Sequence, residues 1–415
     1  MANARALLSS SLVGLALAVA LGTIGSLPIA AAQQAWGPSH TSMSLFGFLM
    51  PGLAFLHWQV AGVRMPRSLG DPAPIAMLWL LGAILVALGK LAGPSGIAIG
   101  LLAFGGIALL AAAGLQTGAV LKAAPKRSES VVDVAKDPLS KGDDASLKHI
   151  RFAHMVFLPL SILGVVATLL PVWPAGSQWP GRVQLASYHW LLAGYALLSV
   201  YGLSHIVVPR FAKVPAIAAG AIKGELHSSL LGLVLLAAGF LIASPGLLIA
   251  GGAMLFLGAF VFMGVLGANI MKNKSPTQRV TPEFAYIPWT FAGIFWLVAG
   301  VLLGLFLSAA AVRFPAVLPS LRFVHVHATL LGGFAMLLMG FATRILPAAV
   351  GRPPVPFSRT RWAFYGLNVA LPTMFYGHLT AGIDSTPFIA GAVLAGVSLA
   401  AWFISLLPSV RGATR

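Results

Sequence analysis

The residues best suited to chemistry in this chain are its histidines, ten in 415 residues with no cysteine. Three apolar stretches carry them in a related setting: His40-Thr-Ser-Met-Ser-Leu-Phe-Gly47-Phe48, His189-Trp-Leu-Leu-Ala-Gly194-Tyr195 and His325-Val-His327-Ala-Thr-Leu-Leu-Gly-Gly333-Phe334. In each, histidine precedes a glycine-aromatic pair. Neutral imidazole is the commonest metal ligand, so several such rings at one depth could hold a metal or a haem. Two residues along an α-helix turn it by about 200°. His325 and His327 therefore point to opposite sides of one helix and suit two different cofactors better than one metal.

A second group is less symmetrical. Glu225 and His227 fall inside an apolar stretch, and an ionisable residue there is a functional candidate by default. With His205 and His154 they read either as a proton route or second metal site, or as a buried hydrogen-bonded cluster. Lys223, two residues earlier, could neutralise Glu225 or extend toward water. His57, His149 and His378 lie near the ends of their stretches and read as interfacial. The absence of cysteine excludes disulfides, iron–sulfur clusters and covalent c-type haem attachment.

The elements that position these residues are membrane helices. The chain is 58% hydrophobic and 8% charged, against roughly 25% charged in a soluble domain. A spanning helix needs about 20 apolar residues. Breaks at proline, glycine and charge clusters give twelve spans, near 6–32, 41–63, 73–92, 95–121, 149–172, 183–208, 217–243, 246–271, 284–311, 320–347, 362–382 and 386–408. The run after Arg5 exceeds the roughly 7–15 residues of a signal-peptide core, so the first span reads as retained. The fold expected is all-α and integral to the membrane, a single transmembrane domain over 1–415.

The net charge of +17 would suggest nucleic acid in a soluble chain. With the amino terminus cytoplasmic, nearly all Lys and Arg fall on the inner side and only Lys90, Arg182, Arg313 and Arg322 on the outer side. The positive-inside rule accounts for the charge, and no nucleic-acid partner is expected. Residues 122–148 read as a flexible cytoplasmic loop. The histidine-bearing spans 2, 6 and 10 are four spans apart, so they share one direction and place their histidines near the outer face. That echo describes three pseudo-repeated four-helix arcs.

Twelve spans, His40-Thr-Ser-Met43 with the later Pro51, and the His325-Val-His327 pair together resemble the haem-copper oxidase catalytic-subunit superfamily, which includes cbb3-type oxidases and nitric oxide reductases. The resemblance implies two b-type haems: one low-spin, between His40 and His327, and one high-spin, with His325 as proximal ligand. His189 matches a histidine that binds copper or non-haem iron in that family. Arg322 could pair with a haem propionate. The resemblance further implies a bacterial-type cytoplasmic (inner) membrane and electrons from quinol or a donor protein, in a homo- or hetero-oligomer.

The chain departs from the family where a histidine pair is expected between spans 7 and 8. The sequence there is Ala-Ser-Pro245-Gly-Leu-Leu, and no His-His occurs anywhere. Residues Ala342 to Pro353, and the Leu-His227 opening of span 7, also resemble the NnrS-like haem proteins linked to nitric oxide metabolism. The leading expectation is a membrane redox protein, a possible oxidoreductase, reacting with nitric oxide or oxygen through His325 and His189. A twelve-helix secondary transporter and a non-catalytic assembly or structural subunit are the alternatives.

Overall fold

The computed structural model describes residues 10–11, 13–14, 17–18, 21, 39–64, 71–93, 95–123, 138–169, 173–174, 176–273, 285–313, 318–349, 352–383 and 385–410. Most of the expected first span, and residues 124–137 of the expected loop, lie outside them. Among the described residues there is no strand.

The helices are α1 (39–64), α2 (Ala73–Leu91), α3 (Gly96–Ala123), α4 (138–169), α5 (179–212), α6 (Ala219–Ile242), α7 (Pro245–Asn273), α8 (Tyr286–Arg313), α9 (318–349), α10 (Phe357–Ala381) and α11 (Thr386–Val410). Nine helices among the described residues are long and apolar enough to cross a membrane. Their outer faces carry apolar side chains such as Ile97, Phe104 and Ile404, each at least 66% exposed. In water such faces would be a liability. Lipid is the solvent that suits them.

The chain divides into two compact units, the first comprising described residues up to Asn269 and the second those from Ile270. In the first, Trp79, Tyr195, Tyr201 and Phe262 are fully buried. In the second, Trp289, Phe334, Phe341 and Trp402 fill the same role.

The end of the loop expected over 122–148 is helical, since α4 begins at Pro138. Its first turns are amphipathic: Ala145, Ser146, His149 and Ile150 are buried while Asp144 and Lys148 are exposed. That i, i+3, i+4 spacing presents one face to the first unit, where Asp143 pairs with Arg210 of α5. A polar composition alone did not reveal the stripe.

Four helices are interrupted by π-helical stretches: Met43–Leu49 in α1, Ala153–Phe157 in α4, Trp190–Leu197 in α5 and Ala328–Ala335 in α9. Such stretches are rare and recur at functional sites. In α5 the stretch starts directly after His189, and in α9 directly after His327. In α1 it starts three residues after His40.

Candidate functional site

In the second unit, α9 carries His325 and His327 just ahead of its π-helical stretch. The His325 ring reaches α8, where Nδ1 lies 2.7 Å from the Gly300 carbonyl oxygen. A carbonyl only accepts, so Nδ1 carries the proton and donates it. Gly304, one turn further along α8, leaves room for the ring, because a Cβ there would sit 2.9 Å from His325 Cε1.

His327 turns elsewhere. Its Nδ1 donates to the Phe323 carbonyl at 3.0 Å, and its ring stacks on the Phe323 side chain at 4.0 Å between centroids. Phe323 in turn meets His378 of α10 at 4.3 Å. The two rings thus have different neighbours, as about 200° of helical rotation requires. Arg322 is exposed on the same helix.

In the first unit, His40 donates from Nδ1 to the Ala18 carbonyl at 2.6 Å. Two residues further along α1, the Ser42 hydroxyl accepts from Lys90 of α2 at 2.8 Å. His189 donates from Nδ1 to the Leu185 carbonyl at 2.8 Å, with its ring tilted over Phe240 of α6 at 4.5 Å. All four histidines expected to bind a cofactor therefore share one tautomer, with Nδ1 protonated against backbone and the lone pair on Nε2. A carbonyl on the distal nitrogen is the usual way a protein orients a ligating imidazole and raises its basicity. All four are only half-buried.

No family profile matches the sequence, and no curated protein is significantly similar to it. Among solved structures, the whole chain aligns with a haem-copper terminal oxidase, a dimer determined by cryo-EM, at a TM-score of 0.69. The chain shares the fold of that structure. At 13% identity, over 85% of that oxidase chain, the likeness is one of fold.

A second set of histidines lies deeper and is organised differently. Glu225 of α6 is 1% exposed and sits between two imidazoles, His149 Nε2 of α4 at 3.3 Å from Oε1 and His205 Nε2 of α5 at 3.2 Å from Oε2. Sequence reasoning paired Glu225 with Lys223 and His227, but both are exposed. Each lies two residues from Glu225, about 200° round the helix. His149, read as interfacial, is fully buried.

The other buried group centres on Gln116 of α3. Trp79 donates to its Oε1 at 2.8 Å, and its Nε2 donates to the Tyr195 hydroxyl at 2.6 Å and lies 3.2 Å from His154 Nε2. His154 donates from Nδ1 to the Ile150 carbonyl at 2.9 Å, so its Nε2 accepts from Gln116. His57 of α1 packs edge-on against His154 at 4.5 Å and is 3% exposed. The interfacial expectation for His57 is corrected accordingly. Gln116 was missed altogether, although a lone amide in an otherwise apolar helix was the available signal.

Among the described residues no three histidine or carboxylate donors converge on one metal position. A copper or non-haem iron cage depends on ligand number and geometry, and His189 is not part of any such three-donor group among those residues.

Proposed function

We propose that this chain is a haem-binding membrane redox protein that acts on a diatomic gas, nitric oxide or oxygen. The observation that carries the reading is the shared tautomer of His40, His189, His325 and His327 within a terminal-oxidase fold. These donors fit haem iron, which takes one or two axial imidazoles. Among the described residues they do not fit a three-histidine copper site.

Haem supplies the redox change and the gas-binding position when bound. His325 would be a proximal ligand, with the Gly300 carbonyl fixing its ring and increasing its basicity. His40 and His327 are the ligands that the sequence resemblance implies for a low-spin haem. His189, oriented by Leu185 and Phe240, would contribute a fixed Nε2 acceptor for a proton. Arg322 would offer charge to a propionate. Electrons would come from quinol or a donor protein, and the arrangement would be twelve spans in three arcs with a cytoplasmic amino terminus.

The repeat draws support from the π-helical stretches, since the three helices aligned through their Gly-aromatic pairs each contain one, as does α4 outside the repeat. The deciding experiment is the optical spectrum of the purified, reduced protein with and without carbon monoxide, together with its pyridine haemochromogen. Two b-type signals, one of them shifted by carbon monoxide, are expected. Absence of any haemochromogen signal from membranes supplied with haem would end the proposal. The alternative of a non-catalytic subunit draws on the missing three-donor set, and retention of haem without a carbon monoxide response would favour it.

A further inference from the structure

We propose that His149, Glu225 and His205 form a buried proton-holding site in the first unit, with one exchangeable proton shared between carboxyl and imidazole. The inference goes beyond the haem reading and requires none of its residues.

Hydrogen-bond polarity leads to it. His149 Nδ1 lies 3.3 Å from the Ala145 carbonyl oxygen, in position to donate. In the neutral ring Nε2 then carries a lone pair, and it lies 3.3 Å from Glu225 Oε1. An ionised carboxylate also presents lone pairs there, so the two atoms repel unless one proton lies between them. His205 meets the other oxygen, Oε2, at 3.2 Å, where its ordinary Nε2–H tautomer suffices. With that one proton the three groups are together neutral; without it they carry a negative charge at a place where the three side chains are 0–1% exposed.

The proton is placed to exchange. His149 Nε2, both His205 nitrogens and Glu225 Oε1 make no aligned hydrogen bond among the described residues, nor do the Ser199, Tyr201, Ser204 and Ser229 hydroxyls. Ser229 lies one turn from Glu225 on α6, while Ser199, Tyr201 and Ser204 lie within two turns of His205 on α5. Buried polar atoms at this density are normally satisfied by ordered water, to which the proton is released and from which it returns.

Tyr201, which feels the Glu225 charge, is the remaining titratable group facing the site from α5, and α7 contributes the Phe262 ring 5.3 Å from His205. The Asp143–Arg210 pair, on α4 and α5, is already matched in charge, and Lys223 and His227 are exposed. No three donors close on a metal position among the described residues, which favours a proton as the occupant.

The test is the pH-difference infrared spectrum of the full chain in detergent, in H2O and D2O. Carboxyl and imidazole bands changing together at one midpoint, and shifting in D2O, are expected. Glu225→Gln should abolish the paired change, His149→Gln should move the midpoint by a factor of ten or more in proton affinity, and the exposed Asp144→Asn should leave it in place. Should Glu225→Gln fail to fold, Glu225→Asp, which keeps the charge, should still shift the midpoint. Spectra of folded Glu225 and His149 variants that superimpose on wild type would overturn the proposal. The bands belong to protein side chains, so the outcome is independent of whether haem is found.

Discussion

Two sets of imidazoles in this protein differ in what holds them. His40, His189, His325 and His327 are half-buried, and each is tied through Nδ1 to a backbone carbonyl. His57, His149, His154 and His205 are fully buried and meet side chains as well, namely one another, Glu225, Gln116 and Tyr195, even where, in His149 and His154, Nδ1 is also tied to a backbone carbonyl. A backbone carbonyl cannot titrate, so it fixes one tautomer and leaves a lone pair at a defined place. A carboxylate or a second imidazole can exchange protons, so it leaves the protonation state open. The same residue type serves as a prospective ligand in one setting and as a proton-sharing group in the other. All eight rings sit on the four helices that contain π-helical stretches.

The contrast can be broken most sharply by removing a ligand. His325→Ala should eliminate the carbon monoxide-responsive haem signal entirely and spare the other, while His327→Ala should do the reverse, both read from reduced spectra. Loss of both signals in each variant would merge the two roles. In the deeper set the effect should be on stability instead. Glu225→Leu leaves two imidazoles buried without their carboxylate and should cost on the order of 3 kcal/mol, seen as a lower unfolding midpoint in detergent.

Smaller effects separate the sets further. Gln116→Leu strips partners from Trp79, Tyr195 and His154 and should cost about 2 kcal/mol, with the reduced haem spectrum unchanged. Gly304→Ala places a Cβ 2.9 Å from His325 Cε1, a clash worth about 1 kcal/mol, and should displace the haem absorbance band with little change in thermal stability. His227→Ala, at an exposed position, should alter stability by no more than about 0.5 kcal/mol and neither spectrum.

The first set was legible because its signal is local. A histidine a few residues before a Gly-aromatic pair can be read along one segment, and the divergence of His325 from His327 follows from helix geometry alone. The second set was mostly hidden because its members meet across helices. Nothing near His149 in sequence announces Glu225, and the end of a span looks interfacial until α5 and α6 cover it. Glu225 was picked out by its rarity in an apolar span, but its neighbours in sequence proved to be on the wrong faces. Membrane character and all-helical class were evident from composition, whereas the π-helical stretches were not, because the Gly-aromatic pairs inside three of them are equally compatible with ordinary apolar helix.

Those stretches also act as phase setters. Each π turn takes up an extra residue, equivalent to about 100° of rotation relative to a continuous α-helix. In α5 the stretch lies between His189 and His205, so the angle between a carbonyl-fixed ring and a carboxylate-bound ring on one rod is set by a local miscount in its winding. Deleting a single residue from Trp190–Leu197 would leave both histidines in the helix and swing one away from its partners. The spacing that matters in this protein is therefore angular as well as linear, and it is stored in the backbone between the functional side chains.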